Sequence, residues 1–236
     1  MNDKIKVLLV EDEASLAMIM KDTMEPMGMS VTLAADGEEG LHAFFADRPD
    51  VVVADVMMPH MDGFEMVRRI REQDKLTPVL FLTARSSVND VVNGFKMGGD
   101  DYLKKPFSLQ EFMVRVSRLA ERQQLYRQSS SSELEDDDRW IDIGTYRLNP
   151  VTQQLAWQEQ VEELSYREAE LLRMLAEHVN DVVESHDILL ALWGDDTLFN
   201  GRSLQVFITK LRHRLERDPQ LRIVNVRGIG YKLIIT

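Results

Sequence analysis

Five short apolar runs punctuate the first half of the chain, each followed by a segment with helical spacing. The runs are KVLLV (6–10), SVTLA (30–34), VVVA (51–54), PVLFLTA (78–84) and DYL (101–103). VVVA and PVLFLTA do not alternate, which is the pattern of strands covered on both faces. Between the runs, residues 14–27, 37–48, 63–73 and 88–97 read as helices, and 108–127 reads as a long amphipathic one. Leu16, Ile19, Met20 and Met24 mark the buried stripe of the first, Pro49 stops the second, and Gly98-Gly99 ends the fourth. Five strand–helix units in about 120 residues predict an α/β doubly wound five-stranded parallel sheet. Ligands of such sheets sit at the carboxyl ends of the strands.

The second half reads differently. Residues 128–138, QSSSSELEDDD, hold four serines and then an acidic run, with no apolar periodicity. They predict a flexible linker between a first domain at 1–127 and a second at 139–236. WIDIG (140–144), YRLN (146–149), QLAWQ (154–158) and VEEL (161–164) suggest a small antiparallel sheet. Helices at 166–178, 186–193 and 201–217 follow. RIVNVRGIGYKLII (222–235) reads as a hairpin around a Gly-x-Gly turn. The net charge of -12 would argue against nucleic acid, but it is uneven. Residues 139–200 hold four basic and twelve acidic side chains, and residues 201–236 hold eight and two. That local reversal argues for a polyanionic partner. No apolar run approaches the ~18 residues that span a bilayer. Val7 to Val10 is too short for a signal peptide. With no Cys, disulfides and thiolate metal sites are excluded, and a reducing cytoplasm is the expected location.

Chemistry gathers at the predicted strand ends. Glu11 and Asp12 follow the first strand, Asp55 follows the third, Thr83 ends the fourth and Lys105 follows the fifth. Clustered carboxylates repel unless a cation neutralises them. A hard ion with oxygen ligands suits them, and Mg²⁺ favours few carboxylates. A carboxylate beside Mg²⁺ and a lysine can accept a phosphoryl group, with Asp as the covalent nucleophile.

Taken together, Glu11-Asp12, Asp55, Met57-x-Pro59, Thr83-Ala84 and Lys105-Pro106-Phe107 resemble the receiver domain of two-component response regulators, over residues 4 to about 125. The resemblance implies a flavodoxin-like receiver fold with Asp55 as phosphoacceptor, phosphorylated by a sensor histidine kinase. It implies Mg²⁺ on Asp12, Asp55 and the Met57 carbonyl, with Glu11 acting through water. Thr83 and Lys105 would contact the phosphoryl group, and the Lys105–Pro106 peptide would be cis. Tyr102 would turn inward on phosphorylation. A homodimer face would draw on Phe95, Asp100, Asp101, Glu111, Val114, Arg115, Arg118 and Arg122. Val91 and Met97 stand where the family usually has a base and an acid, so packing should outweigh ion pairs there.

In the helix at 201–217, Leu204, Ile208, Leu211 and Leu215 share one narrow face, a core stripe. The opposite face carries Arg202, Val206, Thr209, Lys210 and His213, flanked by Arg212 and Arg214. It is a basic surface able to enter a major groove. Val206 would touch a thymine methyl, Lys210 would reach guanine, and Arg212 and Arg214 would meet phosphates. Leu164-Ser165-x-x-Glu168, Leu189-x-x-x-Trp193-Gly194, Arg202-Ser203, Leu211-Arg212-x-x-Leu215 and Val226-Arg227-Gly228-x-Gly230-Tyr231 resemble the winged-helix α+β effector of the OmpR/PhoB subfamily. By that resemblance Ser203 and Tyr231 join the DNA surface and Arg227 reaches the minor groove. The loop 194–200 would face RNA polymerase, and the protein would bind direct-repeat double-stranded DNA. Gln205 and Phe207 replace an acid and a usual His, and Phe207 is expected to pack.

Two other classes use similar parts. A Mg²⁺-dependent phosphatase of the haloacid-dehalogenase type needs a second Asp two residues after the nucleophile, where this chain has Met57. A flavodoxin-like nucleotide module needs a phosphate-binding loop after the first strand, where EDEAS is acidic. Both are disfavoured. Only self phosphotransfer and autodephosphorylation are expected, without turnover of external substrates.

Overall fold

The computed structural model describes residues 4–84, 98–131 and 140–236, except for the side chains of residues 122, 124–131, 198 and 199. These residues form two compact units, Met1–Arg127 and Gln128–Thr236.

In the first unit, strands β1 (Ile5–Val10), β2 (Met29–Ala34), β3 (Val51–Asp55), β4 (Val79–Thr83) and β5 (Asp101–Lys104) form one parallel sheet in the order β2-β1-β3-β4-β5. Every residue of β3 and β4 is buried, as continuous apolar runs require. Helices α1 (Ala14–Met24) and α4 (Leu109–Ser131) cover one face, where Met20, Met24, Phe112 and Val116 pack on Val7, Leu9, Val53 and Leu82. Helices α2 (Gly37–Asp47) and α3 (Gly63–Arg71) add Phe44, Met66, Val67 and Ile70 to the core. Side-chain caps start both: Asp36 accepts from the Glu38 and Glu39 amides, and Asp62 from the Glu65 amide. The helix expected over 14–27 stops at Met24, and Glu25–Met27 is a 3₁₀ turn. Pro26 explains this, since it has no amide to extend the α-helix. The helix predicted over 88–97, with Val91, Phe95 and Met97, lies outside the described residues. Helix α4 runs to Ser131, four residues into the segment read as linker.

The second unit opens with an antiparallel sheet of β6 (Ile141–Ile143), β7 (Tyr146–Asn149), β8 (Gln154–Trp157) and β9 (Gln160–Glu163). Helices α5 (Tyr166–Ala176), α6 (Ser185–Trp193) and α7 (Leu198–Arg214) follow, and a three-stranded sheet in the order β10-β12-β11 closes the unit. Strands β11 (Leu221–Val226) and β12 (Gly230–Ile235) form the expected hairpin, pairing Val226 with Gly230. Strand β10 (Val182–Glu184) was not foreseen; it pairs Val183 with Tyr231 of β12. Ser165 and Glu168 form a reciprocal capping box at the start of α5.

Candidate functional site

Register places the acidic residues together. Val10 of β1 lies beside Ala54 of β3, so the residues that follow these two, Glu11 and Asp55, emerge at the same sheet edge. Carboxylate oxygens of Glu11, Asp12 and Asp55 lie within 4.8 Å of one another. Glu11 and Asp55 are buried and Asp12 is exposed. One edge of the site is therefore open to solvent through Asp12.

Lys105 bridges the two buried acids. Its Nζ lies 2.8 Å from each oxygen of Glu11 and 2.6 Å from Oδ2 of Asp55. The Lys105 amide donates to the Thr83 carbonyl at 2.8 Å, which ties the lysine to the end of β4. The Lys105–Pro106 peptide is cis. The Met57 amide donates to Asp55 Oδ1 at 3.0 Å and holds the carboxylate from its other side. Burial pushes the Glu11 carboxyl up, and the nearby Asp55 charge adds to it, against the pull of Lys105. Burial would lower the Lys105 ammonium, but the bonds to Asp55 and Glu11 outweigh it and raise it. The three carboxylates and one ammonium form a hard-oxygen site with charge to spare, which fits a divalent cation.

Gly63 is part of this geometry, and motif reading overlooked it. A Cβ there would lie 2.1 Å from the Asp55 carbonyl oxygen. The first residue of α3 thus rests directly on the backbone of the acid. Its signal was the glycine immediately after the capping Asp62.

Thr83 is buried at the end of β4. Tyr102 is only 2% exposed, its ring 5.1 Å from that of Phe81. The inward position expected to follow phosphorylation is thus the one it holds here. Burial raises its hydroxyl well above the ordinary range, and Asp100 adds to this.

Two of the charges expected on a dimer face are turned inward. Asp100 is buried, accepting from the Val79 amide at 2.9 Å and from Arg71 at 3.1 Å. Asp101 is also buried and pairs with Arg115 at 3.1 Å, and Arg115 pairs with Glu111 at 2.9 Å. Asp100 and Asp101 are corrected accordingly: Asp100 is used internally by Val79 and Arg71 and Asp101 by Arg115, so they do not present charge outward. Glu111, Val114 and Arg118 are exposed on α4. Phe95 and the Arg122 side chain lie outside the described residues.

On α7, Arg202, Gln205, Thr209, Arg212 and His213 are exposed, and Lys210 is half-buried above the Phe207 ring. Ser203 and Val206 are buried, contrary to the sequence reading. The narrow stripe drawn through Leu204 and Leu211 was too narrow. The α7 helix packs against α5, α6 and β11, so Leu204, Val206, Phe207 and Ile208 are all inward. Gln205 takes the outward place given to Val206. Phe207 packs against Trp193, with ring centroids 5.9 Å apart. Arg212 donates from Nε to the Ile223 carbonyl at 2.9 Å, and Thr209 Oγ1 donates to the Gln205 carbonyl at 2.8 Å. His213 meets Glu216 at 2.9 Å. Arg214 does not point outward alone; it pairs with Glu168 at 3.0 Å and Glu162 at 3.1 Å. Arg227 is exposed at the hairpin tip, and Tyr231 is buried in β12, with burial raising its hydroxyl.

A strand-end aspartate gripped by a lysine on a doubly wound sheet, followed by a winged helix with a basic outer face, defines a phosphorylation switch coupled to DNA. Residues 7–117 match the family described as response regulator receiver domain, and residues 159–233 match transcriptional regulatory protein, C terminal. The chain is 37% identical to the transcriptional regulatory protein RprY of Bacteroides fragilis, over 99% of its own length and 96% of that protein. It is 35% identical to the alkaline phosphatase synthesis transcriptional regulatory protein PhoP of Bacillus subtilis, over 97% and 96%. A solved structure of a RitR mutant shares the fold, with TM-score 0.71 and 20% identity over 97% of this chain and 98% of that one.

The chain belongs to the two-component response regulators of the OmpR/PhoB type. It is a phosphorylation-dependent transcriptional regulator, and its partners are a kinase and DNA. Its relatives are regulators of transcription and not enzymes, so the phosphatase alternative gains no support. No helix among the described residues is long and apolar enough to cross a membrane.

Proposed function

We propose that Asp55 is the phosphoacceptor. An Asp55 oxygen attacks the phosphorus of a phosphohistidine on the sensor kinase. The new O–P bond forms as the N–P bond breaks, and the imidazole leaves. The observation that carries this reading is the bridge of Lys105 to Asp55 and Glu11 beside Asp12. Asp12, Asp55 and the Met57 carbonyl would hold Mg²⁺, with Glu11 acting through water. The metal supplies positive charge for the transferring oxygens. Lys105 and Thr83 take the phosphoryl oxygens, and Thr83 and Tyr102 pass the change to the surface. Autodephosphorylation returns the chain to its resting state, and the Met57 side chain offers no acid for turnover of other substrates.

The phosphorylated chain dimerises through a face including Glu111, Val114 and Arg118, and binds direct-repeat promoter DNA. Helix α7 enters the major groove with Arg202, Gln205, Thr209 and Arg212, and Arg227 meets the minor groove. The segment at 194–200, a loop only as far as Thr197 because α7 begins at Leu198, carries the exposed Asp196 and faces RNA polymerase. Residues 128–138 join the two domains, and the chain works in the cytoplasm.

Labelling by radioactive acetyl phosphate with Mg²⁺ tests the acceptor: Asp55→Ala should abolish it, and persistent label would move the site elsewhere. Sizing and a footprint on randomised DNA, with and without an acyl-phosphate mimic, test the coupling. No change in either would remove the switch and leave DNA binding standing.

A further inference from the structure

Arg214 ends α7, the helix read above as entering the major groove, and its composition suggests one more phosphate ligand. The structure gives its charge a different destination. Its Nε lies 3.0 Å from Glu168 Oε1, its Nη2 3.4 Å from Glu168 Oε2, and its Nη1 3.1 Å from Glu162 Oε2. Glu168 sits in the first turn of α5 and is itself buried, while Glu162 lies on β9. The same residue is gripped through its backbone: Tyr146 of β7 donates from its hydroxyl to the Arg214 carbonyl at 3.0 Å. Three residues on, the Arg217 guanidinium lies 5.0 Å from the centre of the Trp157 ring and hydrogen-bonds to Gln160. The carboxyl end of α7 is thus bolted to the sheet β6–β9 and to α5, while its outward residues remain exposed.

The geometry points to Arg214 as a positioning residue for DNA binding: it fixes the angle of α7 through Glu168 and Glu162 and makes no phosphate contact of its own. This rests on the reading of α7 as the groove-entering helix. A buried carboxylate such as Glu168 needs a partner cation. Burial alone would raise its carboxyl, and the charges of Lys210 and Arg214 outweigh that and hold it low. Turning Arg214 out to a phosphate would weaken that compensation, so the internal pair is the better place for the guanidinium. A long helix that pivots at its carboxyl end carries Arg202 and Gln205 through a wide arc, because each residue adds about 1.5 Å of lever. Base contacts tolerate little of that.

The salt dependence of DNA binding separates the two roles. Each phosphate ligand contributes about 0.9 to the slope of log affinity against log salt, whereas a positioning residue contributes nothing. Binding of the full chain is measured on a labelled duplex selected from a randomised pool by the unaltered protein. Arg214→Met is expected to bind about tenfold more weakly with the slope unchanged, and Arg214→Lys to regain most of that loss. Glu162→Gln removes a negative charge from the Arg214 pair, yet is expected to bind no more tightly. The proposal is overturned if Arg214→Met lowers the slope by about 0.9. It is overturned equally if a folded Arg214→Met binds as the unaltered chain does, or if Glu162→Gln binds more tightly. Should Arg214→Met not fold, Arg214→Lys and Glu162→Gln decide by the same readouts. Arg202→Ala runs alongside; if it leaves affinity and slope intact, the reading of the α7 face fails on its own.

Discussion

Gly63→Ala tests how closely the start of α3 is fitted to the phosphoacceptor. The added Cβ would sit 2.1 Å from the Asp55 carbonyl oxygen, 3.0 Å from the Asp55 carbonyl carbon and 3.3 Å from the Val56 Cα. All three are backbone atoms, so no side chain can swing aside. Unstrained contacts lie near 3.5 Å, so α3 and the end of β3 must separate by roughly 1.4 Å. Overpacking of this kind costs ~1–3 kcal/mol. Alanine's better helix propensity returns up to about 1 kcal/mol. The net loss should be ~1–2 kcal/mol, or several degrees in the melting of the receiver unit. Function should suffer more, because a 1 Å misplacement of a reacting group can cost about 10²-fold. The assays are a thermal melt by circular dichroism and the initial rate of labelling by acetyl phosphate. Gly201→Ala is the control: it also lies in a helix, but a Cβ there meets nothing within 4 Å. It should melt at the same temperature or slightly higher. If Gly63→Ala matched that control in both melting and labelling, the close seating of α3 on Asp55 would not matter to the site.

Lys105→Met leaves Glu11 and Asp55 without their shared cation and should slow labelling by about 10²-fold, measured at saturating Mg²⁺; a rate within twofold of the unaltered chain would take Lys105 out of the chemistry. Glu11 binds a proton more readily folded than unfolded, because burial raises its carboxyl above the ordinary value of 4.5. The folded state therefore loses this advantage as pH rises through the raised value, and stability falls across that window. Glu11→Gln should flatten that fall in metal-free urea titrations between mildly acidic and neutral pH, and an unchanged pH profile would assign it to other groups.

The receiver half was legible because its signals are local. Val51–Asp55 and Val79–Thr83 are buried on both faces, and continuous apolar runs report that directly. Sheet order and register then bring Glu11, Asp12, Asp55, Thr83 and Lys105 to one edge, so strand-end positions sufficed to find the pocket. Gly63 escaped because its role depends on where α3 meets the backbone of Asp55, which no periodicity encodes. Asp100 and Asp101 misled because their partners, Arg71 and the amide of Val79 for one and Arg115 for the other, are 14 to 29 residues away in the chain. In the effector unit, Val206 was misplaced because a helix packed on three sides buries more than half its circumference. The run Leu204 to Ile208, with four apolar residues in five, carried that information. Strand β10 was missed because Val182-Val183 is too short to stand out without its partner in β12.

The charge on the C-terminal segment shows why composition overstates a DNA surface. Residues 201–236 hold eight basic side chains. Of these, Arg214 is paired with Glu168 and Glu162, and Arg217 rests on Trp157 and Gln160. Lys232 lies within β12, half-buried. Arg222 is exposed but pairs with Ile234 at the end of the hairpin away from its tip. The outward basic groups on α7 and the hairpin tip reduce to Arg202, Lys210, Arg212 and Arg227. Fields from the acidic remainder of the chain are screened beyond ~8 Å at physiological salt, so these four decide the local attraction. The slope of log affinity against log salt should then be about −3.6 for each bound protomer, and not the value of about −7 that eight ligands would give. Fluorescence anisotropy on a duplex carrying one half-site, over a series of salt concentrations, measures it. A slope near −5.4, that of six ligands, would mean that the internal pairs of Arg214 and Arg217 open on DNA and that the residues bolting α7 to its sheet are themselves phosphate ligands.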